Sequence, residues 1–221
     1  MRWLNALLNS FSSSKEPKTN APKEEPHPFK NQEETLKRYD RYVNENGDPV
    51  GMCQSMTNVY AKLRLQGEDT GQYLGDDRKF LQASIDEENE ELDAELQGDE
   101  DTIHHAFNKQ QVPHEHVKMP VREFSKEKLE TMLKDSEHFI ISYPTNQTLN
   151  THQSKPDTLP DKKISHAVYF GKLEKHLDDC VTFDANHGEQ KAPCGELIRM
   201  FVEKVRNEAS DGDIQIGMAK V

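Results

Sequence analysis

The sequence predicts an α+β fold, and three observations carry that reading. Apolar residues recur at helical spacing through the first half of the chain, they alternate with polar residues or gather in short runs through much of the second, and Gly- or Pro-containing clusters separate the segments. Helices grouped ahead of strands describe helices packed on a mainly antiparallel sheet. The chain has 221 residues, 33% hydrophobic and 31% charged, which suits one domain carrying polar extensions.

The elements follow in order. Trp3, Leu4, Leu7, Leu8 and Phe11 fall on one face of a short helix. That run is too short and too interrupted for a secretory core, and no small-residue cleavage site follows it, so no cleavable signal peptide is evident. Without Gly after Met1, myristoylation is not signalled either. An export address, a docking helix and a peripheral membrane-surface helix over residues 1–11 all fit. Residues 12–30 are Ser, Lys, Pro, Glu and Asn with almost nothing apolar, too little to offset ordering entropy. We therefore divide the chain into an N-terminal disordered or export segment, residues 1–32, and a folded domain, residues 33–221.

Within the domain, Leu36, Tyr39 and Val43 mark a helix that Asn46-Gly47-Asp48-Pro49 ends. A second helix covers residues 53–65, with Met56, Val59, Tyr60 and Leu63 as its buried stripe. A third covers residues 80–97, where Leu81, Ile85, Leu92 and Leu96 are expected to hold an otherwise acidic helix against its neighbours. Val117, Met119 and Val121 alternate up to Phe124 as a half-buried strand, and Ser125 caps a helix carrying Leu129, Met132 and Leu133. Residues 139–143 form a short strand stopped by Pro144, and residues 145–163 form a long polar loop. Strands over 164–173 and 179–184, a helix over 196–206 and a strand over 214–221 complete the chain.

Composition also excludes. The net charge is −12, and ten acidic residues with no basic one lie between Asp86 and Asp101, so nucleic acid is not expected as a partner. The acidic run reads as a solvated helix face or a contact for a basic protein. No stretch approaches the roughly 20 apolar residues of a membrane span. Three cysteines, Cys53, Cys180 and Cys194, make no disulfide framework and suit a reducing compartment or a reactive thiol. A monomer is expected.

Chemistry concentrates at Cys53. A glycine-containing loop becomes a helix there, and the partial positive charge of a helix N-terminus favours a thiolate. If the strands over 164–173 and 179–184 form a hairpin turning around Lys175, then Phe170 faces Cys180, Val168 faces Thr182, and His166 faces Asp184. An imidazole and a carboxylate then meet on one face, with Tyr169, Val181 and Phe183 on the other. A thiol, a base and an acid that orients the base are the parts of a nucleophilic site. The backbone N–H of Cys53 and the side chain of Asn46 are candidate oxyanion donors. Cys180 and Cys194 read as structural thiols, and Cys180 shares the His166 face. His187 reads as a turn residue. The pairs His104-His105 and His114-Glu115-His116 lack metal-ligand spacing, so neither a metal nor another cofactor is expected.

Three segments, Gly51-Met52-Cys53-Gln54-Ser55-Met56, Ser165-His166-Ala167-Val168 and Phe183-Asp184-Ala185-Asn186-His187-Gly188-Glu189, resemble the YopT/AvrPphB-type cysteine peptidases. Ala185 stands where that family typically has proline, and Tyr60 is offered where its nucleophile helix often bears tryptophan. The resemblance implies a papain-like fold, with Cys53 as nucleophile, His166 as general base and acid, and Asp184 as orienting group. It also implies a secreted bacterial effector acting in a host cell on a protein substrate. A glutamine deamidase or transglutaminase uses the same three groups on a side-chain amide, and a non-catalytic binding protein is the alternative from another class.

Overall fold

A computed structural model describes residues 25–41, 51–98, 103–145, 165–174 and 178–220. Five helices come first: α1 (Gln32–Arg38), α2 (Cys53–Leu65), α3 (Thr70–Leu74), α4 (Asp77–Leu96) and α5 (His105–Lys109). The strands β1 (His114–Pro120), β2 (His138–Pro144), β3 (Ser165–Lys172), β4 (Asp179–Asp184), β5 (Gly188–Pro193) and β6 (Asp213–Ala219) follow, interrupted by α6 (Lys126–Asp135) and α7 (Cys194–Glu208). They form one antiparallel sheet in the order β1-β6-β2-β3-β4-β5. The α+β architecture expected from the residue pattern is the observed one.

Strand alternation builds a core on each face of the sheet. On one face, Val168 and Phe170 of β3 and Cys180 of β4 pack with Leu197, Phe201 and Val205 of α7 and Leu129 of α6. On the other, Tyr169, Val181 and Phe183 pack with Met56 and Tyr60 of α2 and Phe80 of α4. Tyr60 stacks on Phe183 with ring centroids 4.6 Å apart, and its hydroxyl donates to Glu189 Oε1 at 2.7 Å. The tyrosine thus ties the helix that begins at Cys53 to the strand beyond Asp184. Thr57 Oγ1 adds a bond to the Ala167 carbonyl at 3.1 Å, laying α2 along β3.

The hairpin register differs from the expected one by two residues. Val168 faces Asp184, Phe170 faces Thr182 and Lys172 faces Cys180. A slip of one would have sent every side chain to the opposite face, whereas a slip of two keeps each on its own. His166 and Asp184 therefore still share a face and meet diagonally. Cys180 does not line the site. It bonds Cys194 in a disulfide joining β4 to the start of α7, so the expectation of three reduced thiols is corrected and Cys53 is the free one.

Further differences have local causes. Helix α4 starts at Asp77 because the Asp76 side chain caps Lys79 N–H, and Leu92 and Leu96 are 53% and 78% exposed rather than buried. Polar partners hold its later turns instead: Glu87 meets Lys62 and His105, and Glu91 accepts from Asn58. Strand β1 stops at Pro120, which lacks an N–H to continue the ladder, and a short 3₁₀ turn follows. The edge strand β5 carries Glu189, Gln190 and Lys191, a sequence with no apolar alternation to announce it. The packed chain also begins before residue 33: Phe29 is buried against Phe80 and Phe183, and its N–H donates to the Leu74 carbonyl. Residues 1–24, and with them the amphipathic segment, lie outside the described residues.

Candidate active site

Four element ends converge at one end of the sheet: the start of α2, the end of β2, the start of β3 and the end of β4. Cys53 is the first residue of α2 and is half-buried. Its Sγ lies 3.8 Å from the Ser165 carbonyl oxygen, at the first position of β3. His166 follows, buried, with Nε2 3.0 Å from Asp184 Oδ1. The Cys53 side chain acts on the imidazole through hydrogen bonding and charge, both of which raise the His166 pKa. With Nε2 committed to the carboxylate, Nδ1 is the nitrogen left to the thiol. The structure thus brings together the three side chains expected from the sequence. Asn46 lies outside the described residues.

Electrostatics follow from these contacts. Burial disfavours a charged His166, but its hydrogen bonds and charge interactions with Asp184 and Cys53 outweigh burial and raise its pKa to about 10. Burial likewise opposes the Asp184 carboxylate, yet His166 and the Lys204 ammonium hold its pKa well below the usual carboxylate range. Asp184 is further tied by the Asn186 N–H, 2.7 Å from Oδ1, and by the Lys204 ammonium at Oδ2. The Tyr143 ring stands edge-on to the imidazole, centroids 5.6 Å apart, and its hydroxyl donates to Glu208 Oε2 at 2.8 Å. The ring is hemmed in by an aromatic edge and a fixed carboxylate.

Lys204 and Tyr143 were not singled out from the sequence, and Asn186 entered only as part of the segment around Asp184. Lys204 is the most instructive, since α7 buries Phe201 and Val205 on the face that bears Asp184, and Lys204 lies between them in the chain. A helix whose apolar stripe covers the carboxylate, with a lysine near its end, was the available signal. His187 lies in the β4–β5 turn, as expected, with Nδ1 3.5 Å from Asp184 Oδ2 and 3.0 Å from Lys204 Nζ. Gly188 closes that turn at φ 78°, a left-handed conformation that glycine adopts without strain.

Glu87, Glu90 and His105 also converge, on the α2–α4 side. The Lys62 ammonium lies 2.5 Å from Glu87 and 3.7 Å from Glu90. Among the described residues no helix is long and apolar enough to cross a membrane.

Fold and geometry together define an α+β architecture of papain-like fold in which a thiol at a helix start lies beside an imidazole and a carboxylate borne by the sheet. Among solved structures the chain matches the Pseudomonas avirulence protein AvrPphB, with a TM-score of 0.52 and 14% sequence identity, over 82% of this chain and 95% of that one. At that identity the likeness is one of fold. No family model and no curated protein matches the sequence.

Proposed function

We propose that the protein is a cysteine protease acting on a protein substrate, with Cys53 as nucleophile, His166 as general base and acid, and Asp184 as orienting group. The observation that supports this most directly is an imidazole held between a half-exposed thiol at a helix start and a buried, cation-paired carboxylate. A proton shared between sulfur and ring leaves thiolate and imidazolium, and Asp184 stabilises the latter.

In the proposed cycle, Cys53 Sγ attacks the peptide carbonyl carbon. As the C–N bond breaks, His166 gives its proton to the departing amine and a thioester remains. His166 then takes a proton from water, the hydroxide attacks the thioester, and the acid product leaves with the thiolate restored. The N–H groups of the first turn of α2 have no intrahelical acceptor, and we assign that of Cys53 to the oxyanion. The shared fold with an avirulence protein supports the further reading of a secreted effector that acts inside a host cell.

The test uses the full chain. Iodoacetamide should label Cys53 at pH 7 faster than it labels glutathione, and Cys53→Ala should stay folded while losing all turnover. Peptide libraries read by mass spectrometry should then show new termini. An intact chain heavier by about one dalton would instead identify amide-to-acid conversion by the same nucleophile. A Cys53 thiol no faster than glutathione would refute the assignment.

A further inference from the structure

We infer that Gln32 is a positioning residue that couples the nucleophile's helix to the orienting acid through Asn186. This rests on the reading of Cys53, His166 and Asp184 given above. Gln32 opens α1, 21 positions before Cys53 in the chain. Its side-chain Oε1 accepts the Met52 N–H at 2.9 Å, and its Nε2 donates to Asn186 Oδ1 at 2.5 Å. A backbone N–H can only donate, which fixes the orientation of the amide. The Asn186 N–H donates to Asp184 Oδ1, the same oxygen that meets His166. The Gln32 N–H itself donates to the Ala185 carbonyl at 2.6 Å.

The result is an unbroken line of hydrogen bonds from the residue before the nucleophile to the carboxylate behind the base. Met52 is the N-cap of α2 and has no side-chain cap of its own. The bond from Gln32 therefore fixes the Gly51–Met52 peptide, one peptide ahead of the one that carries the Cys53 N–H, while the bond to Asn186 anchors that setting to the Asp184 turn. Two halves of the site, carried by a helix and a sheet, are thereby held at one spacing.

The experiment compares the full chain with Gln32→Ala, Asn186→Ala and the double variant, and needs no substrate. It measures melting temperature and the rate of Cys53 alkylation by iodoacetamide from pH 5 to 10. Each single variant should lose about two- to tenfold in alkylation rate near neutral pH, the worth of one ordinary hydrogen bond. The double variant should lose no more than the worse single one, because both cut the same line. The pH midpoint of labelling should move in both variants, which loss of packing alone would not cause. Asn186 is exposed, so Asn186→Ala keeps the test decisive if Gln32→Ala fails to fold. Wild-type labelling faster than glutathione, with rate and midpoint unchanged in Asn186→Ala, overturns the coupling and leaves the site standing. Wild-type labelling no faster than glutathione overturns the site and the coupling with it.

Discussion

Asp184 and Glu91 are both carboxylates, both nearly buried, at 3% and 7% exposure, and they are shifted in opposite directions. Asp184, at the end of β4, meets the Lys204 ammonium, the His166 ring and the Asn186 N–H, and is held ionised. Glu91 sits in α4 with Asn58 Nδ2 donating to it at 2.7 Å. Burial, with Glu87, Glu88 and Glu95 close by, raises its pKa to about 8 against the help of Asn58. Burial alone is therefore no guide to charge in this molecule; the sign of the neighbours decides. One carboxylate is kept charged where an imidazolium needs it, and the other is kept largely neutral in a helix that only packs.

The sharpest way to break the contrast is Asp184→Asn. The amide keeps an acceptor for Asn186 N–H but loses the charge that holds the imidazolium. We expect turnover to fall roughly 10²- to 10⁴-fold, as when an orienting carboxylate is neutralised. The alkaline limit of turnover, where His166 loses the proton it must give the leaving group, should also move down from about pH 10. A labelling profile unchanged by Asp184→Asn would remove Asp184 from the site.

Stability against pH gives a second measure of the same pair. The folded pKa of His166 is raised, so its contribution is full below about pH 6.5 and is lost as pH climbs toward 10. The folded pKa of Asp184 is depressed, so its contribution is full above about pH 4 and is lost as pH falls further. Urea titrations across this range should show wild-type stability declining at both ends, and His166→Ala should flatten the alkaline decline.

Lys204→Met should act more mildly. Methionine keeps the apolar stem and removes the cation, so Asp184 titrates closer to an ordinary carboxylate while His166 still favours its charge. The loss of stability on acidification below about pH 4 should shrink, with Cys53 reactivity at pH 8 within about threefold of wild type. An equal loss at every pH would show that Lys204 serves packing only.

The sequence made the site more legible than its surroundings, for physical reasons. Parity along β3 and β4 survives a register error of two, so His166 and Asp184 could be paired although the predicted opposites were wrong. Cys53 was visible because a loop-to-helix junction leaves a mark in composition. Gln32 left none, since its role exists only once α1, α2 and the β4–β5 turn meet. Nor did the bond between Cys180 and Cys194, because 14 positions of separation say nothing about whether two sulfurs face each other. Helix α4 misled in the other direction: its leucines promised an apolar stripe, but Leu92 and Leu96 face solvent and carboxylates face inward.

Glu91→Gln tests the quiet half of the comparison and should have the smallest effect. Glutamine keeps the oxygen that accepts from Asn58 and discards the group that resists ionisation. Because the folded pKa of Glu91 is raised, the wild-type fold binds a proton that the unfolded chain has released, and it loses stability as pH rises from about 4.5 to about 8. The variant avoids that loss. Its melting temperature should exceed the wild type's by a few degrees at pH 8, consistent with a gain of about 0.5–2 kcal/mol, and match it at pH 4. Cys53 labelling should not change, since Glu91 bonds Asn58, more than a turn along α2 from Cys53. A gain of equal size at both pH values would mean that glutamine merely packs better there, and that the charge on Glu91 is not what distinguishes it from Asp184.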